Sequence, residues 1–163
     1  MRRCARLAAV AACVAAVLAL GARGPAARGE APIATAPPVF SGIYHSFAVK
    51  GDGSLWAWGH DSYGQLGVGA ASQANAPVSV GSATDWAAAD CGAAHTLALR
   101  SDGSLWAWGA NDDGQLGLGD RAQRSVPVRV GTGADWRVVS AGEAHSAALR
   151  TDGSLWAWGA NDC

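Results

Sequence analysis

Three histidines, His45, His95 and His145, recur at a constant interval of fifty residues. Histidine is the side chain best suited to hold a transition metal or to move a proton near neutral pH. Three aspartates, Asp52, Asp102 and Asp152, keep the same interval and offer the carboxylates of an acid–base pair. Both chemistries demand convergence. Zinc takes its ligand atoms at about 2 Å from one point, and an acid–base pair must face a single reacting bond. A fifty-residue period instead puts one histidine and one aspartate in each structural unit. The expectation is therefore a repeated hydrogen-bonding role for the histidines and turn geometry for the aspartates. His60 is unrepeated, with Ala110 and Ala160 in its register, and reads as a solvated loop residue. Asp112, Asp113 and Asp120, beside Arg121 and Arg124, read as a solvated acidic loop. The glycine-rich GQLGLGD lacks the lysine and the hydroxyl residue of a phosphate loop and has no helix behind it. No nucleophile elbow and no triad is present. No catalytic, cofactor-binding or metal site is expected, and the chain reads as a non-enzyme.

The elements that carry these residues follow from the repeat. DGSLWAWG starts at Asp52, Asp102 and Asp152, and Gly42, Gly92 and Gly142 keep the same spacing. In the second copy HTLALR and LWAWG are short apolar runs separated by SDGS, a hairpin signal in which Gly53, Gly103 and Gly153 supply positive φ. Trp136–Ala141 and Pro127–Val130 add two more runs per unit, and no stretch has the length and period of a helix. Tryptophans alternate with leucine and alanine in LWAWG, so both faces of each sheet are apolar. Sheets stacked face to face around an axis cover both sides, with Trp56, Trp58, Trp106, Trp108, Trp156 and Trp158 filling the space between them. The fold class is all-β, a β-propeller of four-stranded antiparallel blades.

The pattern G-x-x-H-[ST]-x-A-[LV]-[KR]-x-D-G-S-L-W-A-W-G, followed by GQLGVG or GQLGLG, resembles the regulator of chromosome condensation repeat, and a bacterial-type secreted member in particular. The resemblance runs from about Val39 to the last residue. It implies a seven-bladed ring, of which the repeats at 39–88, 89–138 and 139–163 supply about two and a half blades. An unclosed ring leaves apolar faces uncovered. The chain is therefore expected to be the amino-terminal part of a longer reading frame, the alternative being a short chain that closes by association. Relatives act mainly by presenting blade loops to macromolecules, which implies a protein-binding scaffold. The namesake's exchange of guanine nucleotides on a small GTPase is an alternative implication, and inhibition of β-lactamases by a secreted relative is another. None of the exchange factor's functional residues maps onto this sequence.

The first residues, Met1–Arg6, are basic and Leu7–Leu20 is continuously apolar, which is the grammar of a secretory signal peptide. Residues 1–31 are read as that leader plus a short linker, and 32–163 as the partial propeller. The apolar run is shorter than the roughly twenty residues that span a bilayer, so no stable membrane span is expected once the leader is cleaved. Val10–Cys13 matches a lipoprotein box only superficially, since the apolar run continues to Leu20. Secretion, or a periplasmic or cell-surface address, follows. Of the four cysteines, Cys4 and Cys13 lie in the leader, Cys91 sits where the next copy has Ala141, and Cys163 is the last residue. No disulfide framework results. From Pro32 onward twelve acidic residues face seven basic ones, a net charge of −5. That balance argues against nucleic acid as a partner, which wants a basic face to displace counterions.

Overall fold

A computed structural model describes residues 38–69 and 73–161. The expected leader and Cys163 lie outside the described residues. Eleven strands follow in order: β1 (Val39–Ser41), β2 (His45–Val49), β3 (Leu55–Gly59), β4 (Ala74–Ser79), β5 (Trp86–Cys91), β6 (His95–Arg100), β7 (Leu105–Gly109), β8 (Arg124–Arg129), β9 (Trp136–Ala141), β10 (His145–Arg150) and β11 (Leu155–Gly159). They form antiparallel sheets β1-β2-β3-β4 and β5-β6-β7-β8 and a three-stranded sheet β9-β10-β11. These sheets are called blades 1, 2 and 3 below. No helix occurs among the described residues. Strands β1, β5 and β9 approach one another from blade to blade, so they lie innermost and β4 and β8 lie at the rim. The repeat windows beginning at 89 and 139 cut through β5 and β9. A period in sequence has no intrinsic phase, and the hydrogen-bonded ladder sets where a blade begins.

The hairpins that join β2 to β3, β6 to β7 and β10 to β11 contain Asp-Gly. Only the glycines, Gly53, Gly103 and Gly153, have positive φ (77°, 78° and 85°). Gly53 N–H donates to the Lys50 carbonyl at 2.9 Å, and Lys50 N–H to the Ser54 carbonyl at 2.9 Å. This is a three-residue hairpin loop closed by a left-handed glycine. Asp52 Oδ1 accepts from the Ser54 backbone N–H at 2.9 Å and from its hydroxyl at 2.6 Å. Trp56 Nε1–H donates in turn to Ser54 Oγ at 2.9 Å. The same chain recurs at Asp102–Ser104–Trp106 and Asp152–Ser154–Trp156. Hydrogen bonds from the serine hold each of these aspartate carboxyls below its ordinary pKa.

Successive blades bury one face of each against the next. Phe47, Leu55, Ala57 and Leu66 of blade 1 form one core with Trp86, Ala89, Ala98 and Trp108 of blade 2. Leu97, Leu105, Ala107 and Leu116 of blade 2 form the equivalent core with Trp136 and Ala148 of blade 3. The leucine face of each blade thus receives the tryptophan face of the following one. Trp108 is fully buried, with its edge on Phe47 and Trp86 (centroids 5.7 and 5.9 Å). The first tryptophan of LWAWG does something else: Arg100 stacks on Trp106 and Trp86 (4.0 and 4.7 Å), and Arg150 repeats this on Trp156 and Trp136.

Candidate functional site: the loop side and the buried relay beneath it

The antiparallel ladder sorts the loops onto two sides. The Asp-Gly hairpins and the links from β4 to β5 and from β8 to β9 lie on one side. The turns at 42–44, 92–94 and 142–144 and the long connections after β3 and β7 lie on the other. On the hairpin side Lys50, Arg100, Arg129, Arg137 and Arg150 balance Asp52, Asp85, Asp102, Asp135 and Asp152. Arg100–Asp85 (3.6 Å) and Arg150–Asp135 (3.7 Å) pair there. The negative excess of the described residues therefore sits at the loop end. There Asp61, Asp90, Asp112, Asp113, Asp120 and Glu143 outnumber Arg121 and Arg124. Arg124 is bound to Asp120 at 2.7 Å, and Arg121 Nη1 donates to the Asp112 carbonyl at 2.9 Å. Large apolar side chains are also exposed on this side: Ile43 (60%), Tyr44 (64%) and Tyr63 (45%). Ile43 lines a cavity of about 350 Å³ between the inner strands, with Ser41, Cys91, Ala93 and Glu143 on its other walls.

Directly beneath lies a relay between blades. His45 Nε2 is 3.0 Å from Thr96 Oγ1 on blade 2, and His95 Nε2 is 3.0 Å from Ser146 Oγ on blade 3. Thr96 Oγ1 donates to the Gln65 carbonyl at 2.9 Å, and Ser146 Oγ to the Gln115 carbonyl at 2.7 Å. A hydroxyl that has given its proton to a carbonyl must accept from the histidine. Each ring therefore carries its proton on Nε2, while Nδ1 is buried without a partner. The same carbonyls accept Trp108 Nε1–H at 2.8 Å and Trp158 Nε1–H at 2.9 Å. Burial pushes His45 down to about 4, with the nearby His60 adding to the effect. Burial likewise pushes His95 down to about 3, helped by His45 and His145. Gly92 must be glycine for steric reasons, because a Cβ there would strike the His95 ring and the Gly142 carbonyl. Gly42 is crowded in the same way by the Gly92 carbonyl.

His45, Gly42, Asp52, Gly53, Trp56, Trp58 and their counterparts in the other two copies are thus distributed one set per blade. The histidines come close in space only as a series of blade-to-blade bonds, and among the described residues no group of metal ligands forms. His60 lies in the loop after β3, half-buried, where Ser62 Oγ is 2.9 Å from its Nε2 and Gln65 Nε2 is 3.0 Å from its Nδ1. Cys91 is buried and free, its thiol pushed upward by burial and by Asp90.

Sequence reasoning missed Thr96, Ser146, Gln65, Gln115 and Asp90. Asp90 Oδ2 accepts the Ala141 N–H of blade 3 at 2.9 Å and Oδ1 its neighbour Cys91 N–H at 2.9 Å. Burial raises the Asp90 carboxyl above its ordinary range. The hydroxyls and glutamines had a usable signal, since each keeps the fifty-residue register inside an otherwise apolar stretch. Asp90 had none, because Phe40 and Ser140 occupy its register.

Comparison with known proteins agrees with this arrangement. The human WBSCR16 crystal structure superposes with a TM-score of 0.69 at 26% identity, covering 76% of this chain and 33% of that one. Prp20p from Saccharomyces cerevisiae superposes with a TM-score of 0.68 at 25% identity, covering 75% and 32%. Yeast RCC1 (Prp20) bound to Kap60 gives 0.66 at 24% identity, covering 75% and 31%, a likeness of fold. The chain therefore spans about a third of the length of these solved structures. No curated protein matches the sequence. Models of the regulator of chromosome condensation (RCC1) repeat match residues 52–99 and 102–149, and a second model of the same repeat matches 86–115 and 136–163. With more than half of its residues inside such repeats and its sheets stacked as propeller blades, the chain belongs to the regulator of chromosome condensation (RCC1) repeat family.

Proposed function

We propose that this chain is a non-enzymatic binding scaffold, exported from the cytoplasm, that holds a protein partner on its loop side. The observation that carries the reading is the asymmetry of the two sides. Hairpin-side charges balance, and much of their chemistry is spent on internal turns and on stacking against tryptophan. The loop side carries exposed Ile43, Tyr44 and Tyr63 on its turns together with the charge excess, whereas the exposed Val39, Leu155 and Trp156 nearer the hairpins are strand residues on the outer blade faces. Exposed aromatic rings amid polar groups are what protein interfaces use as anchors. The loop side is also where the copies differ most, for instance at His60–Tyr63 and Asp120–Ser125, and loops on a rigid frame are the usual place for specificity. The similar Prp20p is described as binding Gsp1p and histones, and yeast RCC1 as bound to Kap60. Those partners are proteins, which supports the class of ligand without identifying this one. Export rests on the leader sequence alone.

Fractionation of cells expressing the full protein, followed by affinity capture, tests both halves. The expected result is an extracytoplasmic protein whose captured partner is lost with Tyr44→Ala/Tyr63→Ala while the unfolding midpoint stays put. Retention in the cytosol with accelerated nucleotide release from a GTPase overturns the reading in favour of an exchange-factor-like regulator.

A further inference from the structure

We propose that Asp113–Gly114, in the connection after β7, is a site of spontaneous covalent modification at which the aspartate isomerises through a succinimide to isoaspartate. Asp-Gly is the dipeptide in which this reaction meets least steric resistance, because glycine puts no side chain beside its own amide nitrogen. The sequence holds four such pairs, at Asp52, Asp102, Asp113 and Asp152. The amide nitrogen of the glycine attacks the side-chain carboxyl carbon. A new C–N bond forms, and the amide proton leaves with the carboxyl hydroxyl as water. Water then adds back to the imide. Attack at the side-chain carbonyl restores aspartate, while attack at the main-chain carbonyl breaks the original peptide bond and leaves the backbone running through the side chain. No oxidant or cofactor is consumed, and the mass is unchanged. What the step does need is a carboxyl free to turn onto the neighbouring nitrogen.

Three of the four pairs lack that freedom. In each Asp-Gly hairpin the aspartate Oδ1 accepts both the backbone N–H and the hydroxyl of the serine two residues on, at 2.9 and 2.6 Å for Asp52 and at 2.8 and 2.6 Å for Asp102 and Asp152. These bonds pin the carboxylate and favour its ionised form, a poor target for a nucleophile. Asp113 is built differently, because Gln115 stands where the hairpins have serine. Gln115 is buried, and its Oε1 accepts the Asp113 backbone N–H at 2.9 Å. The Asp113 carboxylate is left exposed, with no hydrogen-bond or ion-pair partner among the described residues. Tyr63 holds the same place in the first copy, so the repeat signature does not carry the site. The glycine amide does not separate the four: Gly53, Gly103, Gly153 and Gly114 each donate to the carbonyl three residues back, at 2.9 to 3.1 Å. Space does separate them. A side chain at Gly114 would meet nothing within 4 Å, whereas one at Gly53 or Gly103 would run into the Thr84 or Ala134 carbonyl. The imide ring and the extra backbone atom have room at Asp113 that those two hairpins deny. The product lengthens the main chain by one methylene and moves a carboxylate on the loop side, whatever that side binds.

The test is incubation of the full protein at neutral pH, native and in urea, followed by tryptic mapping with electron-transfer fragmentation, which cleaves the Cα–Cβ bond that isoaspartate places in the main chain. Asp102 and Asp113 fall in one tryptic peptide, between Arg100 and Arg121, so each sample carries its own comparison. The expected result for the native protein is isoaspartate accumulating at Asp113 ahead of Asp52, Asp102 and Asp152. In urea the four should react at comparable rates, since only the shared Asp-Gly sequence remains. Native protein with as much isoaspartate at Asp102 as at Asp113 overturns the proposal. So does a native Asp113 that stays unmodified while the unfolded one reacts, or an unfolded chain that keeps the native preference for Asp113.

Discussion

Removing the imidazoles of the relay should flatten the acid sensitivity of this fold. His45 and His95 titrate at about 4 and about 3 in the folded chain, against 6.5 for an ordinary histidine. A folded-state pKa below the unfolded one means that the unfolded chain binds the proton first. Stability is therefore fully present above pH 6.5 and is lost as the pH falls from there toward the folded values. At about 1.4 kcal/mol per pH unit for each group, the fall from pH 6.5 to 5 costs on the order of 2 kcal/mol per histidine. The displaced carboxylates act elsewhere. Asp52, Asp102, Asp120 and Asp152 are lowered, so their contribution is lost only below the usual carboxylate range. Asp90 is raised and favours the fold as the pH falls. Urea unfolding between pH 7.5 and 5 reads the slope directly, and the comparison is His45→Gln/His95→Gln, because a glutamine amide can donate to Thr96 and Ser146 without titrating. The wild type should lose stability steeply between pH 6.5 and 5, while the double variant should be nearly flat. A wild type that is flat over that range, or a double variant with the same slope, refutes the buried neutral relay.

Three further outcomes follow from the same geometry. Thr96→Val should cost about 1–3 kcal/mol, the penalty for a buried donor left unpaired at His45 Nε2, and Thr96→Ser should restore most of it; equal urea midpoints for valine and serine would contradict the hydrogen-bonded assignment. Trp108→Ala should cost about 3–5 kcal/mol, because that ring is enclosed between blades. Trp58→Ala should cost less, its ring being only partly covered, and an equal loss would show that burial between blades is not what sets the cost. Amino-terminal sequencing of exported protein should find a start between Ala22 and Pro32, and an intact Met1 on a cytosolic product would exclude the leader.

The sequence by itself determined the period, the strands and the turns. These are local matters: alternation of LWAWG fixes two apolar faces, and Asp-Gly fixes a hairpin because only glycine tolerates the left-handed backbone there. It also placed the histidines on separate units and so disfavoured a metal cluster. Partnership lay beyond it. Thr96 looks like any strand threonine until a histidine fifty-one residues upstream lies opposite it, and Asp90 breaks the repeat and acquires meaning only from the Ala141 amide of the next blade. The burial of identical residues was illegible in principle. Leu105 and Leu155 share the same local sequence and the same register against the preceding strand, and one is sealed while the other is open to solvent. Solvent exclusion is a property of what lies across the face of a sheet, and in a stack of repeats that neighbour is set by position in the stack rather than by the strand's own residues.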